Sequence, residues 1–133
     1  MLRLLKRLQN YDRTTVKIGN AVLRAIVADT YIKRTIGLMY KEGLQAGECM
    51  LMVFWRKGRH GIWMKNMLFP IDIVWLDEKQ KVVDMMPRAA PCTNDCDVYK
   101  PECDALYALE LRSGSVKRLN IKKGEKIKIE KRR

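Results

Sequence analysis

Apolar and polar residues alternate along much of this chain with the two-residue period of short strands. Thr14–Ile18 and Ala21–Ala28 flank Gly19-Asn20, a two-residue link in which Gly supplies the positive φ of a tight hairpin turn. Asp29 or Thr30 then caps a short helix whose buried stripe is Ile32, Ile36 and Met39, at i, i+4 and i+7. Gly37 falls inside that helix and costs about 1 kcal/mol relative to Ala, which close approach to another backbone would offset. Met50–Trp55 and Gly61–Met64 read as strands joined by the basic turn Arg56–Arg59. Ile71–Leu76 and Lys81–Met86 read as a second hairpin across Asp77–Gln80. Pro87–Asp104 holds three prolines, three cysteines and no periodicity, so it reads as a long surface loop that is functional or pinned. Ala105–Leu111 returns as a strand, Ser113-Gly114 turns, Val116–Leu119 makes one helical turn, and Lys126–Ile129 closes as a strand. These elements predict a mainly β fold on the α+β border, a compact antiparallel barrel or folded sheet of seven or eight short strands with one short helix.

The run Ile62–Leu76 breaks the pattern in an informative way. One lysine, one asparagine and one aspartate, Lys65, Asn66 and Asp72, interrupt otherwise apolar sequence. A buried polar group without a partner costs on the order of 1–3 kcal/mol, so these three answer to one another or to a ligand. An ion pair between Lys65 and Asp72 is the simplest such arrangement. Asn66 also suits a turn, because Asn tolerates left-handed φ. Trp63 and Trp75 read as core or groove wall.

The 133 residues, 47% of them hydrophobic, fit one globular domain over 1–133 that needs no staples. No apolar run approaches the ~20 residues of a membrane span, and Met1–Arg7 lacks the core of a signal peptide. The expectation is a soluble, cytoplasmic, monomeric protein. The net charge of +12 invites nucleic acid until it is divided along the chain. Residues 1–24 carry six Lys/Arg against one acid and residues 117–133 nine against two, while residues 25–116 hold twelve of each sign. Basic segments 1–12 and 123–133 could follow a phosphate backbone. Met1, Leu4, Leu5 and Leu8 oppose Arg3, Lys6 and Arg7 on a short helix that would suit an acidic membrane surface. No nucleic-acid-binding motif accompanies them.

Few Gln and many Lys, Arg and Ile give a thermophile-like composition, which makes an intracellular disulfide admissible. Cys92, Cys96 and Cys103 lie too unevenly spaced for a standard zinc site. A disulfide within the trio, free thiols, or a zinc site closed by Cys49 or His60 all remain open. Among the pairings, one with Cys103 closes the larger ring and is the better staple.

Several spaced elements occur together: Val27-Ala28-Asp29-Thr30, Arg34-x-x-Gly37-Leu38-Met39, Trp63-Met64-Lys65-Asn66, Pro70-x-Asp72-Ile73, Pro91, Tyr99, and Ala105-x-Tyr107-x-Leu109-Glu110-Leu111 followed by Gly114. In these the chain resembles domain-of-unknown-function family 192, over roughly residues 22–130. The resemblance implies a β-rich fold with a helix packed on it. Cys49 stands where the family usually has Gly, and Met67 where it usually has Thr, which removes a hydroxyl from the site.

Three functions follow from these residues. The first is a small binding or accessory domain whose groove, with Trp63, Lys65, Asn66 and Asp72, takes an anionic or polar ligand or a partner chain. Glu110 joins that set if its face of the strand meets Lys65, or faces solvent if it does not. The second is a non-specific nucleic-acid or anionic-surface binder working through the basic ends. The third is an enzyme using a desolvated Lys65 as base or nucleophile. Phosphate loops, paired helical His and nucleophile elbows are missing, and the paired methionines read as core packing. No cofactor is implied, His60 reads as a surface residue, and the first function is the expectation carried forward.

Overall fold

The computed structural model describes residues 11–131. Among the described residues nine strands and two short helices make a mostly β fold, a sheet curled into a half-barrel. The strands are β1 (Arg13–Ile18), β2 (Ala21–Ala28), β3 (Glu48–Gly58), β4 (Ile62–Trp63), β5 (Ile71–Leu76), β6 (Val82–Ala89), β7 (Val98–Tyr99), β8 (Ala105–Arg112) and β9 (Lys128–Ile129). The helices are α1 (Tyr31–Ile36) and α2 (Ser115–Arg118). Seven strands pair in the order β6-β5-β8-β3-β2-β1-β9, and β4 and β7 form a separate ribbon. All pairs are antiparallel except β2–β3, whose parallel register is bridged by α1.

The β1–β2 hairpin forms as its sequence predicts, with Gly19 at φ 57°. Thr30 is the cap of α1, its hydroxyl accepting from the Lys33 amide at 3.1 Å. The helix then stops a turn earlier than its periodicity predicts. Gly37 is its C-cap at φ 49° and ψ −124°, a conformation open to glycine, and its amide donates to the Lys33 carbonyl. The expected stripe is therefore cut. Ile36 and Leu38 are buried, while Ile32 is exposed.

Strand parity divides the core in two. One face gathers Ile26, Met50, Met52, Phe54, Ile73, Trp75 and Ala108 beneath Leu38, Ile62, Met64 and Met67. The other gathers Val16, Ile18, Leu51, Val74, Leu109 and Leu111 against Ile121 and Ile127. Strand β8 lies between β3 and β5, and its residues 108–111 are buried on both faces.

Asp72 is fully buried on β5, directly opposite Leu111, and so belongs with Val74 to the second face. Its Oδ1 accepts from the amides of Arg88 at 2.8 Å and Gly114 at 3.2 Å, and its Oδ2 from Val116 at 2.7 Å. One carboxylate thus fastens the end of β6, where Arg88 has φ 55°, to the turn that opens α2. This overturns the expected Lys65–Asp72 pair: the aspartate needs no cation because three N–H groups satisfy it.

The segment after β6 is pinned, as its length demands, but Cys92 bonds to Cys96 rather than to Cys103. Cys49 is buried in β3, with its thiol pushed up to about 12 by burial and then by Glu48. Cys103 is exposed. Two of the three loop sulfurs are thus taken up in the bridge. The amphipathic helix expected at Met1–Leu8 lies outside the described residues. Of the basic C-terminal segment, Lys128 pairs in β9 with β1, and Lys123 reaches Asp84 and Glu102. Among the described residues no helix is long and apolar enough to cross a membrane.

Two outcomes follow. Asp72→Ala leaves three backbone donors unpaired and should cost about 3 kcal/mol in chemical denaturation, whereas Lys65→Met should stay within roughly 0.5 kcal/mol of the parent. Differential alkylation without reductant should label Cys103 in the folded protein, Cys49 only after unfolding, and Cys92 and Cys96 only after reduction. Labelling of all four before reduction would contradict the bridge.

Candidate functional site

On the first face of the sheet an open cleft of about 450 Å³ runs between α1 and its C-cap, the end of β3, and the β4–β7 ribbon. Ligand pockets commonly fall at this size. Glu110 lines it from β8, where the register sets it between Met50 of β3 and Ile73 of β5. The residue is 2% exposed, and its Oε1 is buried with no hydrogen-bond partner among the described residues. Gly37 leaves room beside this atom: a Cβ there would lie 3.6 Å from Glu110 Oε1 and 3.3 Å from Met52 Cε.

The walls are aromatic. Phe54 stacks on His60 with ring centres 4.0 Å apart and planes within 8°. His60 Nε2 lies 2.7 Å from the Arg56 carbonyl, and its own carbonyl accepts from Trp75 Nε1 at 3.1 Å. His60 is thus a wall residue, which corrects the surface assignment. The rim carries Tyr31 and Trp55, both more than three-quarters exposed, with Trp63 and Val98 opposite. Two cations complete the lining. Arg34 lies over Phe54 at 5.5 Å and donates from Nη1 to the Val53 carbonyl at 2.8 Å. Lys65 Nζ lies 5.2 Å above the Trp63 ring.

Backbone bonds hold Lys65 in place. Cys92 donates to the Met64 carbonyl and accepts from the Asn66 amide, straddling Lys65, and the bond to Cys96 anchors Cys92 in turn. Asn66 sits at φ 60°, and its carbonyl accepts from Tyr40 at 3.0 Å, tying this segment to the chain leaving α1. Asn66 therefore serves the framework as a turn former.

The structure thus brings together Trp63, Lys65 and Glu110 and leaves Asp72 on the far side of the sheet. Lys65 is exposed at the rim, so the desolvation that a lysine nucleophile requires is missing. Sequence reasoning passed over Arg34, Trp55 and the role of His60. The spacing Arg34-x-x-Gly37 carried the signal, since it places a cation one turn before a glycine whose cost wanted a reason.

The family model described as "Uncharacterized ACR", DUF192, matches residues 14–129. The chain belongs to the DUF192 family. Curated relatives include a "UPF0127 protein" of Thermococcus gammatolerans, 30% identical over 101 residues, covering 76% of this chain and 63% of that protein. UPF0127 protein PH1112 of Pyrococcus horikoshii is 32% identical over 104 residues, covering 77% of this chain and 84% of its own. The matched region spans less than two-thirds of the Thermococcus relatives. A crystal structure from Sinorhizobium meliloti, provisionally described as a transcription regulator, superposes with a TM-score of 0.83 at 25% identity, covering 90% of this chain and 95% of that one. A protein of unknown function from Novosphingobium aromaticivorans gives 0.78 at 28% identity, with 87% and 83% covered.

Burial pushes the Glu110 carboxyl up from its ordinary value near 4.5 to about 7. The unfolded chain ionises this group near 4.5, so below that pH both states are protonated and nothing is lost. As pH rises through the window the fold retains a proton that the unfolded chain releases, and stability falls, by about 3 kcal/mol once pH exceeds 7. Glu110→Gln should remove this loss. Denaturation of parent and variant across the window should show the two diverging as pH rises, with the variant the more stable above neutrality.

Proposed function

We propose that this DUF192 chain is a small ligand-binding domain whose site is the cleft between α1, the end of β3 and the β4–β7 ribbon. The unpartnered Glu110 Oε1 at its floor carries the reading. A folded protein rarely leaves a buried polar atom unsatisfied, and where it does the atom commonly awaits something. Here an open cleft leads to it, with aromatic surface left exposed at the mouth and two cations on the lining.

The ligand is polar or carries negative charge, and the residues that meet it are Trp63, Lys65, Glu110 and Arg34. Asn66 and Asp72 support it indirectly, Asn66 by turning the chain after Lys65 and Asp72 by fixing β5 beside β8. Among the described residues a single acid lines the cleft.

A fragment screen followed by amide and indole chemical-shift mapping tests this. Hits should move Gly37, Lys65 and the Trp63 indole together, and Trp63→Ala should weaken them about tenfold, on the scale of a lost aromatic contact. Hits confined to other surfaces, or unaffected by Trp63→Ala, would remove the cleft from consideration.

A further inference from the structure

The charges of the cleft are divided by depth. The acid lies at the floor on the central strand, with its acceptor unpartnered, and the cations Arg34 and Lys65 stand on α1 and after β4. Burial raises the pKa of Glu110. Met52, Phe54, Ile62 and Trp63 also line the cleft.

We propose that the cleft binds a small zwitterion of the ω-amino-acid type, with its ammonium on Glu110, its methylene body against the aromatic wall, and its carboxylate held by Lys65 and Arg34. The inference rests on the ligand-binding reading above and names the ligand's chemistry. A plain acid would satisfy the cations and leave Glu110 Oε1 unpaired. A plain amine would satisfy Glu110 while facing two like charges on entry. A ligand with both groups, separated by several methylenes, answers both and carries no net charge.

Binding makes and breaks no covalent bond. Below about pH 7 it converts a protonated Glu110 and a ligand ammonium into a carboxylate–ammonium pair and releases one proton to solvent. The titratable and charged groups facing the cleft are Tyr31 and Arg34 from α1, His60 after β3 and Lys65 after β4, while β3 and β5 set Met50 and Ile73 beside Glu110.

The test uses the full chain and four probes of similar length: ε-aminocaproate, hexylamine, hexanoate and hexanol, titrated by calorimetry and chemical-shift mapping. ε-Aminocaproate should bind at least tenfold tighter than each of the others, with shifts at Gly37 and the Trp63 indole. In buffers of different ionisation enthalpy it should release close to one proton at mildly acidic pH and almost none at mildly alkaline pH. Glu110→Gln should cost both amine-bearing probes tenfold or more and leave hexanoate unchanged. Lys65→Met, at an exposed position that cannot unfold the core, should reduce ε-aminocaproate to the level of hexylamine. Equal binding of hexanol in the cleft, as expected for a site built for hydroxyl compounds, would overturn the zwitterion and leave the ligand-binding reading intact. Absence of cleft shifts with all four probes while the fragment screen finds cleft hits would do the same. Absence in both experiments would overturn the two readings together.

Discussion

The burial of β8 on both faces is the constraint on which the rest of the structure depends. Flanked by β5 and β3, this strand places successive residues in opposite cores, so each polar position on it or directly beside it has to be resolved without water. Leu109 and Leu111 fall on one side and Ala108 and Glu110 on the other. The neighbouring strand adds Asp72 opposite Leu111. Two carboxylates thus sit in adjacent strands with the sheet between them, and the protein treats them in opposite ways. Asp72 receives three backbone N–H groups and becomes a fastener, and Glu110 receives none at Oε1 and becomes the polar end of a cleft.

That contrast also explains how far the sequence could be read. Local chemistry was legible: the Gly19 hairpin, the Thr30 cap and the left-handed Asn66 all follow from neighbours in the chain. The mainly β class followed from them, with the two-residue strand β7 hidden inside the presumed loop. What local chemistry does not contain is register. Lys65 and Asp72 look like partners because they share one apolar run, but the chain crosses from the β4–β7 ribbon to the central sheet between them, and strand parity sends Asp72 to the far face. From sequence Glu110 either faces solvent or joins Lys65, and alternation signals solvent only when one face is open.

The remaining surprises share that cause. His60 follows a run of basic residues and reads as surface, yet its ring stacks on that of Phe54, six residues earlier on β3. Cys103 offered the larger ring, but the Cys92 backbone is already held by Met64 and Asn66, which leaves its side chain near Cys96. Gly37 was recognised as costly within a helix, and its reason proves to be the end of that helix and the space beside Glu110.

The pairing of β9 with β1 has a consequence for how the molecule assembles. Val16 meets Ile129, and the Thr14 hydroxyl donates to the Glu130 carbonyl at 2.6 Å across a separation of 116 residues. The parallel β2–β3 pair adds a crossover in place of a simple hairpin. Contacts this distant in sequence give little back until long loops have closed, which places the chain among the slower folders for its size. During synthesis the outer edge of β1 is left without β9 until nearly all of the described chain has emerged. For that interval an unpaired strand edge is presented to its surroundings. Thr15 and Lys17, polar residues on that edge strand, are a feature of the nascent chain as much as of the finished protein.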